Sequence, residues 1–269
     1  MNEGWFAKIR GQPPQWARFI LGLVPVAILF GVWHYMTVGE VEERRVHPVI
    51  LPSPAEVWET VPALRDRDIL TNTWLSFRRV GIAYGIAVGL VLPLGVLMGA
   101  FGSIRAMFNP AMTASGYVPI ATLLPLTVAW FGTGEKMRVA FLALAFAIFL
   151  LPLIVKAIDA VPEVYLRTAY TLGATRWQAI WNVLVPVALP DIWYAMRLAF
   201  GVGWTYLVLA EVFVLEGGLG ALVEVSRRRQ PREHIYLIIV LITVIAWVVD
   251  LAWDHGGRLL FGKRGRAEA

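Results

Sequence analysis

Four stretches of this chain carry no formal charge: Val80 to Ile104, Ala106 to Gly134, Val139 to Val155 and Ile235 to Val249. A helix needs about 20 apolar residues to cross the hydrocarbon of a bilayer. Inside lipid each backbone N–H and C=O must find its partner within the segment, which restricts such runs to helices or closed barrels. A soluble protein with a large core would alternate apolar and polar positions, and these runs do not. Phe19 to Met36 and Ile192 to Leu215 add two more candidates. The expectation is an all-α, polytopic membrane protein with six transmembrane helices. A hydrophobic share of 58% against 16% charged residues agrees.

The net charge of +5 could suggest a nucleic-acid partner. The basic residues lie between and beyond the apolar runs, however, where membrane proteins keep them, so no nucleic-acid binding is expected. Lys8 and Arg10 precede the first run in the manner of a signal peptide. No small-x-small cleavage site follows that run, and it reads as an uncleaved first span. With the N-terminus on the cytoplasmic side, 11 basic residues would fall inside and 12 outside, so charge alone does not set the orientation.

Several chemistries are excluded. The chain has no cysteine, hence no disulfide or thiolate-held metal. His34, His47, His234 and His255 show no metal-ligand spacing, and no metal site is expected. No GxxxxGK[ST] run is present; "EGGLGAL" (Glu216 to Leu222) lacks the lysine and hydroxyl residue of a phosphate loop and reads as a turn. The lone serine of Ala114–Gly116 has no histidine in a partnering span, so no catalytic residue is assigned and the chain is not read as an enzyme.

Residues 1–269 form one transmembrane domain without a repeat or linker. In the longest connection, Thr37 to Arg79, Ser53 and Glu56 make a capping box. Gly81, Gly85 and Gly89 recur at helical spacing, favouring close packing within the chain over a subunit interface. Pro110, Pro119 and Pro125 interrupt the third span, which suggests an interior or path-lining helix. Four ionisable residues fall in or near spans. Arg197 and Glu211 are candidates for the translocation path or its gating. Asp250 and Asp254 read as an internal ion pair or as end residues.

The passage "AYTLGATRWQAIWNVLVPVALP" (Ala169 to Pro190) is an elbow. Pro162 and Glu163 open a short helix, with the acidic side chain where the helix dipole favours it. Gly173 stops that helix, since it can adopt positive φ. Thr175 and Gln178 start another by a second capping box and run through Pro186 into a span. A helix too short and polar to cross lies against the membrane face, joined to a kinked span. A soluble partner pushing on it would move the span.

These residues resemble the "EAA" signature of permease subunits of binding-protein-dependent ABC importers. Ala169 takes the second alanine, Gly173 the glycine, and Val183 to Pro186 the terminal I-x-L-P; Arg167 stands where the family has glutamate, with Glu163 one turn earlier. "ILPSPAEVW" (Ile50 to Trp58) and "LVLAEVFVLEGGLGAL" (Leu207 to Leu222) resemble the nitrate/sulfonate/taurine branch. The resemblance implies the type I importer fold, a multi-pass protein of a prokaryotic inner membrane, and a cytoplasmic N-terminus. It implies a coupling segment over about residues 162–190, with Glu163, Arg167, Ala169, Gly173, Thr175 and Pro186 meeting an ATPase. It further implies a second permease copy as a homodimer, two ATPase subunits that hold ATP and Mg, and an external solute-binding protein delivering a small anionic solute. No cofactor is expected on this chain. Arg227, Arg228 and Arg229 in "SRRRQPR" are candidates for docking the binding protein. A self-contained secondary transporter or channel is the rival reading; it would call for proton-relay carboxylates within spans and two related halves. A membrane scaffold is a second rival, and it would need no elbow.

Overall fold

The computed structural model describes residues 11, 13–40, 42–65, 67–214, 216–229 and 232–262, with the backbone alone at 64, 65 and 229. Among the described residues there are helices and turns and no strand. The first span is α1 (Gln15–Thr37). A connection follows with two short helices, α2 (Pro54–Glu59) and α3 (Val61–Arg65). Ser53 and Glu56 cap α2 reciprocally, as the sequence predicts.

The second span, α4 (Ile69–Ala100), begins well before the expected Val80. A charge-free scan stops at Arg78 and Arg79, but the helix continues through them because Arg79 is fully buried and paired. The third span is broken. It comprises α5 (Gly102–Ser115), a 3-10 turn (Ile120–Thr122) and α6 (Leu123–Phe131), with an 89° bend at the break. Pro119 caps the 3-10 turn and cannot donate to continue α5. Of the two expected placements, interior or path-lining, the interior one does not hold within the chain: α5 buries no residue, the 3-10 turn buries Ile120, and α6 buries only Leu124 and Thr127. The remaining long helices are α7 (Glu135–Asp159), α10 (Val185–Phe213) and α12 (Glu233–Phe261). Between α7 and α10 lie α8 (Glu163–Thr171) and α9 (Arg176–Ala179); α11 (Leu219–Arg229) precedes α12. Among the described residues, five helices are long and apolar enough to span, or six counting the bent pair as one.

The core is a three-helix stack of α4, α7 and α10, filled by Val80, Ala83 and Ala87, by Phe141, Phe146 and Leu150, and by Ala195, Ala199 and Leu207. Its tightest contacts rest on glycines. A Cβ at Gly99 would lie 2.3 Å from Ile158, one at Gly95 would lie 2.6 Å from Ile154, and one at Gly203 would lie 2.1 Å from Phe146. Small residues let backbones approach, which is how helices associate in lipid. The expected stripe of Gly81, Gly85 and Gly89 does not do this. Those three face open space, so the close packing sits about two to three turns beyond Gly89 on α4. By contrast, α1 hardly touches the core. None of its hydropathy window is buried, and toward its C-terminal end Trp33 Nε1 donates to the Pro52 carbonyl at 2.8 Å while its ring stacks on Tyr236.

Candidate functional site

Two polar constructions occupy opposite ends of α10, a helix about 44 Å long at 1.5 Å per residue. At its N-terminal end is the elbow. Helix α8 opens after Pro162 and closes at Gly173, whose φ is +83°. The Ala174 amide donates to the Ala169 carbonyl and the Gly173 amide to the Tyr170 carbonyl, both at 3.0 Å. This is a Schellman closure. Ala169 is buried while Glu163 and Arg167 stand out in solvent, paired one turn apart along α8. Exposed ion pairs of this kind contribute at most about 1 kcal/mol, so this one leaves both groups available to a partner. The Thr175 and Gln178 capping box forms as expected. The helix then widens into a π segment (Ile180–Leu184) just before Pro186. A π-bulge absorbs the missing proline donor and turns the axis, a feature that the prolines alone do not specify. A cleft of about 420 Å³ separates Leu166 and Tyr170 of α8 from Gly99, Ile158 and Ile180.

At the other end of α10, Glu211 is fully buried and lies at the centre of a network that the sequence does not announce. Its carboxylate accepts from Arg79 Nη1 at 2.6 Å, from Ser76 Oγ at 2.8 and 2.9 Å, and from the Gly220 amide at 2.9 Å. Arg79 also donates to Glu135 through Nε, at 2.9 Å, and through Nη2. The same guanidinium donates to the carbonyls of Gly217 at 2.8 Å and Glu216 at 3.1 Å. Arg138, equally buried, donates to the Val214 carbonyl at 3.0 Å and to Glu135 and Glu216. A buried charge is tolerated only when paired and hydrogen-bonded, and here each arginine meets carboxylates and carbonyls together. The "EGGLG" passage is the turn that the sequence predicts. Gly217 and Gly218 take φ of +73° and +104°, and a Cβ at Gly218 would lie 2.3 Å from Glu211 and 2.5 Å from Arg79. Only glycine leaves room for the ion pair.

The other charges are placed as follows. Arg197 donates to Asp250 at 2.6 Å through Nε and again through Nη2, and to Asp254 at 3.1 Å; Asp254 also pairs with Arg258. Arg197 is thus not a free cation, and the expected ion pair of Asp250 and Asp254 has its partner there. Arg227 and Arg228 are largely exposed, and both grip Glu224. Hydrogen bonds from Arg227, then Arg228, push the Glu224 carboxyl down to about 2. The side chain of Arg229 lies outside the described residues. Glu163, Arg167, Ala169, Gly173 and Thr175 are brought together at the elbow, with Pro186 behind them. Arg197 and Glu211 are separated by 14 residues of α10, about 21 Å, and form no common site. The residues missed by sequence reasoning are Asn72, Ser76, Arg79, Glu135 and Arg138. The one available signal was a pair of arginines abutting a charge-free run.

The bundle, its broken span and its elbow define a polytopic helical membrane protein. The chain belongs to the family described as "binding-protein-dependent transport system inner membrane component", which matches residues 91–260. The taurine transport system permease protein TauC of Escherichia coli (strain K12) is 30% identical over 237 residues, covering 86% of this chain and 85% of the relative. The nitrate import permease protein NrtB of Synechocystis is 23% identical over 240 residues, 84% of each. Among solved structures, the inward-facing MetNI methionine ABC transporter superposes with a TM-score of 0.65 at 20% identity, over 71% of this chain and 94% of that one. The chain is therefore a multi-pass transport component of the nitrate/sulfonate/taurine branch of ABC importers, not an enzyme. It works with an ATPase and a solute-binding protein.

Proposed function

We propose that this permease forms the path for a small anionic solute of the nitrate, sulfonate or taurine kind, as two copies in a homodimer with two ATPase subunits that hold ATP and Mg. No metal or cofactor is assigned to this chain itself. The names of its relatives support the solute class. Residues 162–190 are the coupling segment, with Glu163, Arg167, Ala169, Gly173, Thr175 and Pro186 as its working residues. The carrying observation is the elbow: a short polar helix closed by Gly173 and joined within a few residues to the bulged start of α10. Displacement of α8 is then delivered to a spanning helix. Glu211 and Arg197 are assigned to the path and its gating through the pairs they make, not as free charges. Arg227, Arg228 and Arg229 are assigned to docking of the binding protein, because they lie beyond the end of α10 opposite the elbow.

Gly173→Val tests the coupling reading. No atom lies within 4 Å of a Cβ there, so the cost is the positive φ, about 1 kcal/mol or more, without a clash. The expected outcome is a folded, inserted complex whose ATP hydrolysis no longer responds to the loaded binding protein. Wild-type stimulation in that variant would show that the elbow does not transmit.

A further inference from the structure

The turn between α10 and α11 has little structure of its own. Among the described residues, the one backbone bond inside it runs from the Glu216 amide to the Val214 carbonyl. Other hydrogen bonds at its described residues come from side chains of neighbouring helices. The first amides of α11 are orphan donors in an isolated helix. Here they are met in succession: Gly218 by Asn72 Oδ1 at 2.6 Å, Leu219 by Ser76 Oγ at 2.9 Å, and Gly220 by Glu211 at 2.9 Å. The carbonyls of Val214, Glu216 and Gly217 go to Arg138 and Arg79. The turn that leads into α11 is consequently held by side chains of α4 and α7 as well as of α10.

Resting on the permease reading above, we propose that Arg79 is a positioning residue of the import cycle. It fixes the turn before α11 against α4 and α7, so that the outer face meets the solute-binding protein as one preformed surface. Arg79 does not touch the partner: it is fully buried, while Arg227 and Arg228 on α11 are exposed. Its effect runs through the turn. A surface held in its bound arrangement binds more tightly because less ordering is left to association. Releasing the turn therefore weakens docking more than it slows turnover once the partner is bound.

The test is a titration of the reconstituted complex, including its ATPase, with the solute-binding protein that activates the wild type. Arg79→Met is expected to raise the half-saturating concentration about tenfold, the equivalent of one charged hydrogen bond. The maximal rate should change by a smaller factor than half-saturation does, and Arg79→Lys, which keeps charge without the fork, should fall between wild type and Arg79→Met. Asn72→Ala removes only the acceptor for Gly218 and should raise half-saturation about threefold; it decides the matter if Arg79→Met is not recovered folded. Arg227→Ala with Arg228→Ala gives the scale of a direct docking loss. Gly203→Ala, which crowds Phe146 far from the turn, should lower thermal stability without moving half-saturation. Unchanged half-saturation in Arg79→Met, or in Asn72→Ala where that variant must decide, overturns the assignment, as does a fall in maximal rate alone. A wild-type complex that no binding protein activates overturns the permease reading, and the assignment with it.

Discussion

Arg197 sits roughly 21 Å along α10 from Glu211, at a depth where an unpaired charge is hard to tolerate. Its guanidinium is satisfied by Asp250 and Asp254 on α12, and with Arg258 the four charges balance. Beyond this seam and the Trp193–Trp253 contact, α12 buries only His234 and Ile238. Removing one partner of such a pair costs more than removing both, because the survivor is left uncompensated. Arg197→Leu should therefore lower the stability of the purified permease by about 3 kcal/mol, whereas Arg197→Leu with Asp250→Leu should recover most of it. Thermal melting in detergent distinguishes the two outcomes. If the double variant is as unstable as the single one, the pair is not the unit. Sequence reasoning flagged Arg197 within a span and Asp250 and Asp254 near the end of one. It could not match them, because 53 residues separate Arg197 from Asp250.

Among the elements, α4 shows two kinds of glycine on one helix. Gly95 and Gly99 are in contact with α7, and Gly81, Gly85 and Gly89 are open. Overpacking a fitted contact costs about 1–3 kcal/mol. Gly99→Ala should lower the melting midpoint of the isolated chain, and Gly85→Ala should leave it unchanged. Equal shifts would mean that Ile158 yields without strain. Four-residue spacing made these glycines visible in the sequence, but spacing does not say which turns meet a neighbour. Local devices were legible in full: both capping boxes and the stop at Gly173 depend on residues at most a few positions apart. The interruption of the third span was legible too, through Pro119, whereas the start of α4 and the π segment were not, since each depends on what the helix packs against.

For the molecule as a whole, the surfaces left open are as informative as the core. Neither α5 nor the window of α1 is buried by the rest of the chain, and the open glycines of α4 add to that surface. A chain that keeps its broken helix on the outside is consistent with half of a pore. Native mass spectrometry of the ATPase-bound complex should show two permease copies; an active complex with one copy would rule out the homodimer.

The network around Arg79 also sets an order of assembly. Its partners lie 56 residues downstream at Glu135, 132 at Glu211 and 137 at Glu216. During synthesis α4 emerges long before any of them, so its arginine enters the bilayer boundary uncompensated. It remains so until α7 brings the first carboxylate and α10 the second. The turn after α10 cannot adopt its shape earlier, because its amides and carbonyls have no other acceptors and donors prepared for them. Closure of this end of the bundle therefore waits on α4, α7 and α10 together, and α12 is left to dock afterwards.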